Sequence, residues 1–275
     1  MIAEIELITP EKAAEYLELN ISNRPVRENW IVQLQRMIEQ GHFKLHHQGI
    51  AFSIEGFLID GQHRLMAIVR AKKAVQMLVT RNVASDTILS MDDHQRRTVA
   101  DSMTLSRKEQ IGNESIAIIR AGLEFSGFIN GQGSRLTKTE IDAVYDEFVP
   151  ALQWVLQEMP TRIEKGVGGA TTKAAIMLAW FYCDLERLAE FAAILTGRVM
   201  PTSGEDRAAV VLREALLKSG MKTGQSRHEF FRKTQRAIKA FMEREELQRL
   251  YNNSEVYYPW PLEEPVRTAA TVANA

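Results

Sequence analysis

The hydrophobic periodicity of this 275-residue chain changes near residue 106, and this change limits the fold more than any other feature. Before it, short apolar runs with the period of strands alternate with helical stretches. After it, the helical period of 3.6 residues dominates as far as Leu250. Strands and helices followed by helices alone are typical of the α+β class. We therefore predict an α+β fold, with a first domain over residues 1–105, a helical domain over 106–258 and a flexible tail over 259–275.

Composition excludes several classes of protein. The chain is 45% hydrophobic and 25% charged, close to the average globular protein and unlike disordered, collagen-like or coiled-coil sequences. Lys and Arg number 34 against 35 Asp and Glu, so any affinity for nucleic acid must come from a local basic face. Cys183 is the only cysteine, which excludes a disulfide framework and predicts an inert core thiol.

Membrane and export signals are not expected. The longest apolar run, Ala174 to Cys183, is about half of the roughly 20 residues that a bilayer requires. The N-terminus is acidic and has none of the basic and apolar regions of a secretory signal. We expect a cytoplasmic protein with no membrane partner.

Local signals predict the elements of the first domain. Thr9 before Pro10 predicts the start of a helix that runs to about Leu19. Glu55-Gly56 predicts a tight turn between the strands 50–54 and 57–59, and a further strand is expected over 74–80. A second helix is predicted over 26–40, with one apolar stripe made by Val26, Trp30, Leu34, Met37 and Ile38.

The helices of the second domain are predicted from periodicity alone. They cover residues 114–125, 137–148, 151–159, 172–195, 206–218 and 227–250.

The strongest functional signal is the run that follows the strand ending at Ile59, Asp60-Gly61-Gln62-His63-Arg64. A strand that turns directly into a helix exposes the first backbone N–H groups of that helix, which favour an anion. Gly61 permits close backbone approach, and Arg64 can grip a phosphate through paired N–H donors. The alternative is an ordinary helix start in which Asp60 is the cap and the other side chains are solvated.

The same run, continued by Leu65-Met66-Ala67, resembles the signature of the ParB/sulfiredoxin superfamily. It is especially similar to the DGQHR-motif subgroup of bacteriophage and mobile-element proteins, and the resemblance covers about residues 8–105. It implies a small mixed-sheet domain whose Gly61, Gln62, His63 and Arg64 bind nucleotide phosphates. The implied cofactor is CTP or ATP. Gln62 stands where sulfiredoxin has its cysteine, which excludes thiol-based reduction.

A charged cluster from Asp92 to Asp101 is a second candidate. Asp92 and Asp93 are predicted metal ligands for Mg²⁺, and Arg96 and Arg97 are predicted phosphate contacts. The alternative is a solvated turn in which Thr98 caps the helix that holds Asp101. Asn23 and Arg24 are a further candidate phosphate contact, with a helix-capping turn as the alternative.

The segment from Lys218 to Arg244 has eight basic and two acidic residues. A helix of this kind suits the phosphate backbone of a nucleic acid, and a solvated helix face is the alternative. The predicted contacts are Arg232, Lys233, Arg236 and Lys239.

Histidines and a glycine-rich loop are interpreted as structural. His42, His46 and His47 are expected at the surface because no carboxylate follows them at ligand spacing. The run 166–173 has glycines and a lysine but lacks the spacing of a P-loop, so a loop before a helix is expected.

Together these features predict a ParB-like protein that binds nucleotide or nucleic-acid phosphates through Gly61 to Arg64 and DNA through the basic helix. DNA and a nucleotide are the expected partners, and a homo-oligomer is compatible with the sequence. One alternative is an enzyme, an NTPase, phosphotransferase, nuclease or DNA-modifying enzyme, in which Asp60 or His63 is the general base. Another alternative is an adaptor whose helical domain binds a protein.

Overall fold

The computed structural model describes residues 1–21, 23, 25–84, 97–127, 136–160, 164, 166–218, 223–251, 254–261, 263 and 265–268. The chain divides into two compact units, Met1–Arg96 with Gly131–Thr139 and Arg97–Asn130 with Glu140–Ala275. Within the described residues, strands occur only in the first unit, and they form one small mixed sheet. This confirms the α+β class.

The elements of the first unit are β1 (Ile2–Ile8), α1 (Pro10–Glu18), α2 (Glu28–Glu39), β2 (Ile50–Ser53), β3 (Leu58–Asp60), α3 (Gln62–Ala71) and β4 (Val75–Val83). The helices that follow are α4 (Val99–Arg107), α5 (Asn113–Phe125), α6 (Lys138–Glu158), α7 (Ala170–Ala179), α8 (Leu185–Thr196), α9 (Arg207–Lys218) and α10 (Gly224–Met242), and a 3₁₀ turn, Gly204–Asp206, precedes α9.

The strands of the sheet lie in the order β1-β4-β2-β3. β4 pairs antiparallel with β1 and parallel with β2, and β2 pairs antiparallel with β3. The hairpin predicted around Glu55-Gly56 is confirmed, and Gly56 has a φ of 88°. The sequence analysis missed β1, because Glu4 and Glu6 within it give the segment a polar character.

The helices of the first unit cover one face of the sheet. Met77 and Val79 of β4 are buried in a core with residues of α1, α2 and α3, while Gln76 of the same strand is exposed. The predicted start of α1 is confirmed, since the Thr9 side chain accepts a hydrogen bond from the Lys12 N–H at 3.2 Å.

The predicted apolar stripe of α2 is wrong in part. Trp30 and Val26 are each 46% exposed, while Ile31 is fully buried with Leu34 and Ile38. The buried face of a helix depends on what packs against it. Here Ile31 takes the place in the core that was predicted for the larger side chain of Trp30.

Two helix boundaries of the second unit also differ from prediction. The helices predicted on either side of Pro150 are one helix, α6, because the burial of Phe148, Ala151 and Leu152 outweighs the loss of one backbone hydrogen bond. The helix predicted over 172–195 is instead divided into α7 and α8. Asp184 ends the connection, and its side chain caps α8 by accepting from the Arg187 N–H at 3.0 Å.

The C-terminal stretch packs on the second unit where a flexible tail is predicted. Trp260 is 6% exposed, and its ring centroid lies 4.4 Å from that of Phe148. The Tyr182 hydroxyl donates to the Pro259 carbonyl at 3.0 Å, and the Arg267 guanidinium binds the carbonyls of Trp180 and Cys183. Aromatic burial holds this stretch, and its described residues form no helix or strand, which is why periodicity did not detect it.

Candidate functional site

The turn between β3 and α3 requires glycine at position 61. Gly61 has a φ of 106°, and a Cβ built on it would lie 3.2 Å from the Ile50 Cα and 3.1 Å from the Ile50 Cγ1. Gly61 is also the N-cap of α3, and it makes no side-chain capping hydrogen bond. The predicted alternative of Asp60 as the cap is therefore wrong, and the positive end of α3 begins at a residue without a side chain.

Arg64 lies one turn into α3 and is held by two hydrogen bonds from one nitrogen. Its Nη1 donates to the Gly49 carbonyl at 2.8 Å and to the Asp60 Oδ2 at 3.3 Å. Asp60 also accepts from the Gly61 N–H through Oδ1 at 2.7 Å. The side chain of Arg64 is 19% exposed. Among the hydrogen bonds of the described residues, none uses its Nη2 or Nε, so these donors remain available to a ligand.

Gly49 is a site residue that the sequence analysis missed. A Cβ at this position would lie 1.7 Å from the Leu78 carbonyl oxygen of β4. The chain can therefore approach β4 here only as glycine, and this approach places the Gly49 carbonyl against Arg64. A glycine immediately before the first strand of the hairpin was the available signal.

Gln62 and His63 point into the first unit instead of toward solvent. They are 4% and 5% exposed. The His63 Nε2 accepts a hydrogen bond from the Arg27 N–H at 3.0 Å, and the Gln62 Oε1 accepts from the Asn20 Nδ2 at 3.3 Å. Both side chains therefore fix the segment before α2 against α3. This role is structural, whereas the sequence predicted that both side chains contact a phosphate.

Asn23 belongs to the same polar network. Its Nδ2 donates to the Asn20 Oδ1 at 2.7 Å and to the Leu58 carbonyl at 2.8 Å. The side chain thus holds the start of β3, which ends at the Gly61 turn. Arg24, its predicted partner in phosphate binding, lies outside the described residues.

The predicted metal site lies outside the described residues, which do not include Asp92, Asp93 or Arg96. The part of the chain that the structure describes contains no cluster of three metal-ligating side chains. Arg97 is the first residue of the second unit. The capping alternative is confirmed for Thr98 and Asp101. Each side chain accepts from the other residue's backbone N–H, at 3.1 and 2.9 Å, at the start of α4.

The basic residues of α10 are mostly neutralised by neighbouring carboxylates. Lys233 pairs with Glu229 at 2.5 Å and Arg236 with Glu245 at 2.6 Å. Lys239 lies 3.5 Å from the Oε1 of Glu243. A phosphate backbone would have to displace these carboxylates, so the ion pairs favour the interpretation of a solvated helix face. Arg232, the fourth predicted contact, follows the buried Phe231 and is itself partly buried.

The histidines, the cysteine and the glycine-rich run lie where a structural role is favoured. His46 and His47 are exposed, as predicted, whereas His42 is partly buried. Burial raises the pKa of the Cys183 thiol to about 11, which agrees with an inert core cysteine. Lys173, at the end of the glycine-rich run, is fully buried and its Nζ lies 2.5 Å from the Glu114 Oε1. This lysine joins α7 to α5 and does not face a ligand.

No helix in the described part of the chain combines the length and apolar character needed to cross a bilayer. Comparison with protein-family models, curated proteins and solved structures finds no match, so the resemblance to the ParB/sulfiredoxin superfamily stays a prediction based on the motif.

Proposed function

We propose that this chain binds a phosphate group of a nucleotide or nucleic acid at the turn between β3 and α3, as a ParB-like protein of a phage or mobile element. The position of Arg64 is the observation that carries the proposal. Its Nη1 is fixed by the Gly49 carbonyl and Asp60, and no hydrogen bond among the described residues uses its remaining N–H donors. A guanidinium held in this way is ready to form two parallel hydrogen bonds with a phosphate.

The start of α3 supplies a second attraction for an anion. Helix N-termini carry a partial positive charge, and here the N-cap is a glycine, which has no side chain to neutralise it. The nearby carboxylate of Asp60 acts in the opposite direction. Because Asp60 accepts from both Gly61 and Arg64, it orders the turn while weakening its attraction for anions.

The geometry supports binding more than catalysis. The Nε2 of His63 already accepts a hydrogen bond in the interior, so this side chain is a poor general base. Asp60 is 46% exposed, but both of its oxygens are engaged. We therefore propose a binding function, with an enzyme that uses Asp60 and Mg²⁺ as the alternative outcome of the experiment.

The proposal is tested by thermal unfolding of the wild type and Arg64→Ala with CTP, ATP, GTP, UTP, their deoxy forms, pyrophosphate and a short DNA duplex, with and without Mg²⁺. A ligand at a hundred times its dissociation constant stabilises the native state by about 2.7 kcal/mol. We expect one ligand class to stabilise the wild type but not Arg64→Ala. Arg70→Ala is the matched control, because Arg70 lies on the same helix and pairs with Glu28.

Asp60→Asn separates binding from catalysis. The amide keeps a hydrogen-bond acceptor but removes the negative charge, so a phosphate should bind Asp60→Asn a few times more tightly, by the loss of one like-charge repulsion. If the wild type turns over a nucleotide and Asp60→Asn does not, the enzyme alternative replaces the proposal. If no ligand stabilises the wild type, or Arg64→Ala responds as the wild type does, the phosphate site is rejected.

A further inference from the structure

The loop just before β2 is joined to the Gly61 turn through Arg64. The Arg64 Nη1 donates to the carbonyl of Gly49, at the end of this loop, at 2.8 Å. Three residues earlier in the same loop, the Nδ1 of His46 accepts a hydrogen bond from the Gln48 N–H at 3.1 Å. The imidazole ring of His46 is thus held in one orientation by the segment that binds the guanidinium.

This hydrogen bond decides which ring nitrogen of His46 carries the proton. A nitrogen that accepts from a backbone N–H is unprotonated, so the proton of a neutral imidazole lies on Nε2. His46 is exposed, and no hydrogen bond among the described residues uses its Nε2. The ring therefore presents an N–H donor to solvent.

The electrostatics keep His46 in this neutral form. Although the residue is exposed, partial shielding of the ring from water lowers the pKa of His46 below its usual 6.5, and the positive charges of Arg64 and the neighbouring His47 lower it further. At pH 7.5 the side chain is thus a neutral donor that does not repel the arginine.

We propose that the Nε2–H of His46 and the free edge of the Arg64 guanidinium bind the same phosphate group, from the loop before β2 and from α3. This inference rests on the proposed function, because Arg64 is the primary contact. Donors from two chain segments can reach different oxygens of one tetrahedral anion from different directions. His46 is then a binding residue that the sequence analysis assigned to the surface.

The test is a titration of the full chain with pyrophosphate at pH 7.5, using wild type, His46→Ala, His46→Gln, His47→Ala and Arg64→Ala. His46→Ala should weaken binding about tenfold, the loss of one hydrogen bond to a charged group. His46→Gln should retain most of the affinity, because its amide can donate from about the position of Nε2. The matched control, His47→Ala, changes the adjacent exposed histidine and should bind as the wild type does.

A nuclear magnetic resonance measurement of the imidazole nitrogens reports on the contact directly. We expect the ¹⁵N spectrum of His46 to show the Nε2–H tautomer, and its Nε2 signal to shift when pyrophosphate is added. Wild-type affinity in His46→Ala together with lost binding in Arg64→Ala would overturn this inference and leave the proposed function standing. Unchanged binding in Arg64→Ala would overturn both.

Discussion

At the scale of single residues, the candidate site depends on two glycines that lie directly against the backbone of another segment. Gly49 lies against the Leu78 carbonyl and Gly61 against the Ile50 Cα, so β2 is enclosed between β4 and the start of α3. Arg64 then closes the site by binding the Gly49 carbonyl from α3. A single methyl group at either glycine would move the guanidinium away from its acceptor.

Gly61→Ala should lower the free energy of unfolding by about 2 to 3 kcal/mol, because alanine is strained at a φ of 106° and its Cβ would press on Ile50. Gly56→Ala is the matched control. Gly56 has a φ of 88° but nothing within 4 Å of a Cβ, so we expect a loss of about 1 kcal/mol from backbone strain alone. Urea denaturation measures both, and equal losses would show that the contact with Ile50 has no effect.

Among the elements, the edge strand β1 is held by one carboxylate with several donors. Glu6 accepts hydrogen bonds from the Tyr16 hydroxyl at 2.7 Å and from Arg81, and it pairs with Lys12 at 2.6 Å. Burial alone would raise the pKa of Glu6, but these partners outweigh it and lower the pKa to about 2. The cluster therefore joins β1, α1 and β4.

The protein should become less stable as the pH is lowered, because Glu6 is stabilising only in its ionised form. A carboxyl whose pKa is lowered on folding stabilises the protein fully above the unfolded pKa of 4.5, and this stabilisation is lost as the pH falls toward 2. The pKa difference corresponds to about 3 kcal/mol at pH 7. We expect Glu6→Gln to lose most of this at pH 7 and to differ less from the wild type at pH 3, as measured by urea denaturation. A constant difference at both pH values would contradict the lowered pKa.

At the scale of the whole molecule, each compact unit has its own means of stabilisation. The first unit buries one face of a small sheet under its helices, with Ile8, Ile68 and Val79 in the core. The second unit packs helices around aromatic rings and adds a C-terminal stretch whose described residues form no helix or strand. Tyr258 and Trp260 of that stretch are buried, and Gln235 of α10 binds the backbone of Tyr258 at 3.0 Å.

Trp260→Ala should destabilise the second unit by about 3 kcal/mol, since it removes a buried aromatic side chain and leaves a cavity beside Phe148. The loss should appear as faster amide hydrogen exchange in α6 and α7. Tyr251→Ala is the matched control, because Tyr251 lies in the same C-terminal region and is 73% exposed. Unchanged exchange in Trp260→Ala would show that the stretch from Pro259 adds nothing to the core.

The features that the sequence determined by itself are those encoded within a few residues. Thr9 before Pro10 starts α1, Glu55-Gly56 makes the hairpin turn, and Thr98 with Asp101 caps α4. Each depends on a hydrogen bond or a backbone angle between near neighbours, so residue type and spacing were enough. The change of period near residue 106 likewise reported the α+β class.

Only the tertiary structure decided how the polar side chains of the candidate site are used. The partner of His63 is the Arg27 N–H, 36 positions away, and the partner of Asn23 is the Leu58 carbonyl, 35 positions away. Such partners depend on how α2, α3 and β3 meet, which no local pattern records. Burial is similarly a property of the packed unit. For this reason the motif predicted the residues that form the Gly61 turn, while the fold determined that His63 is buried and that Arg64 stays partly exposed.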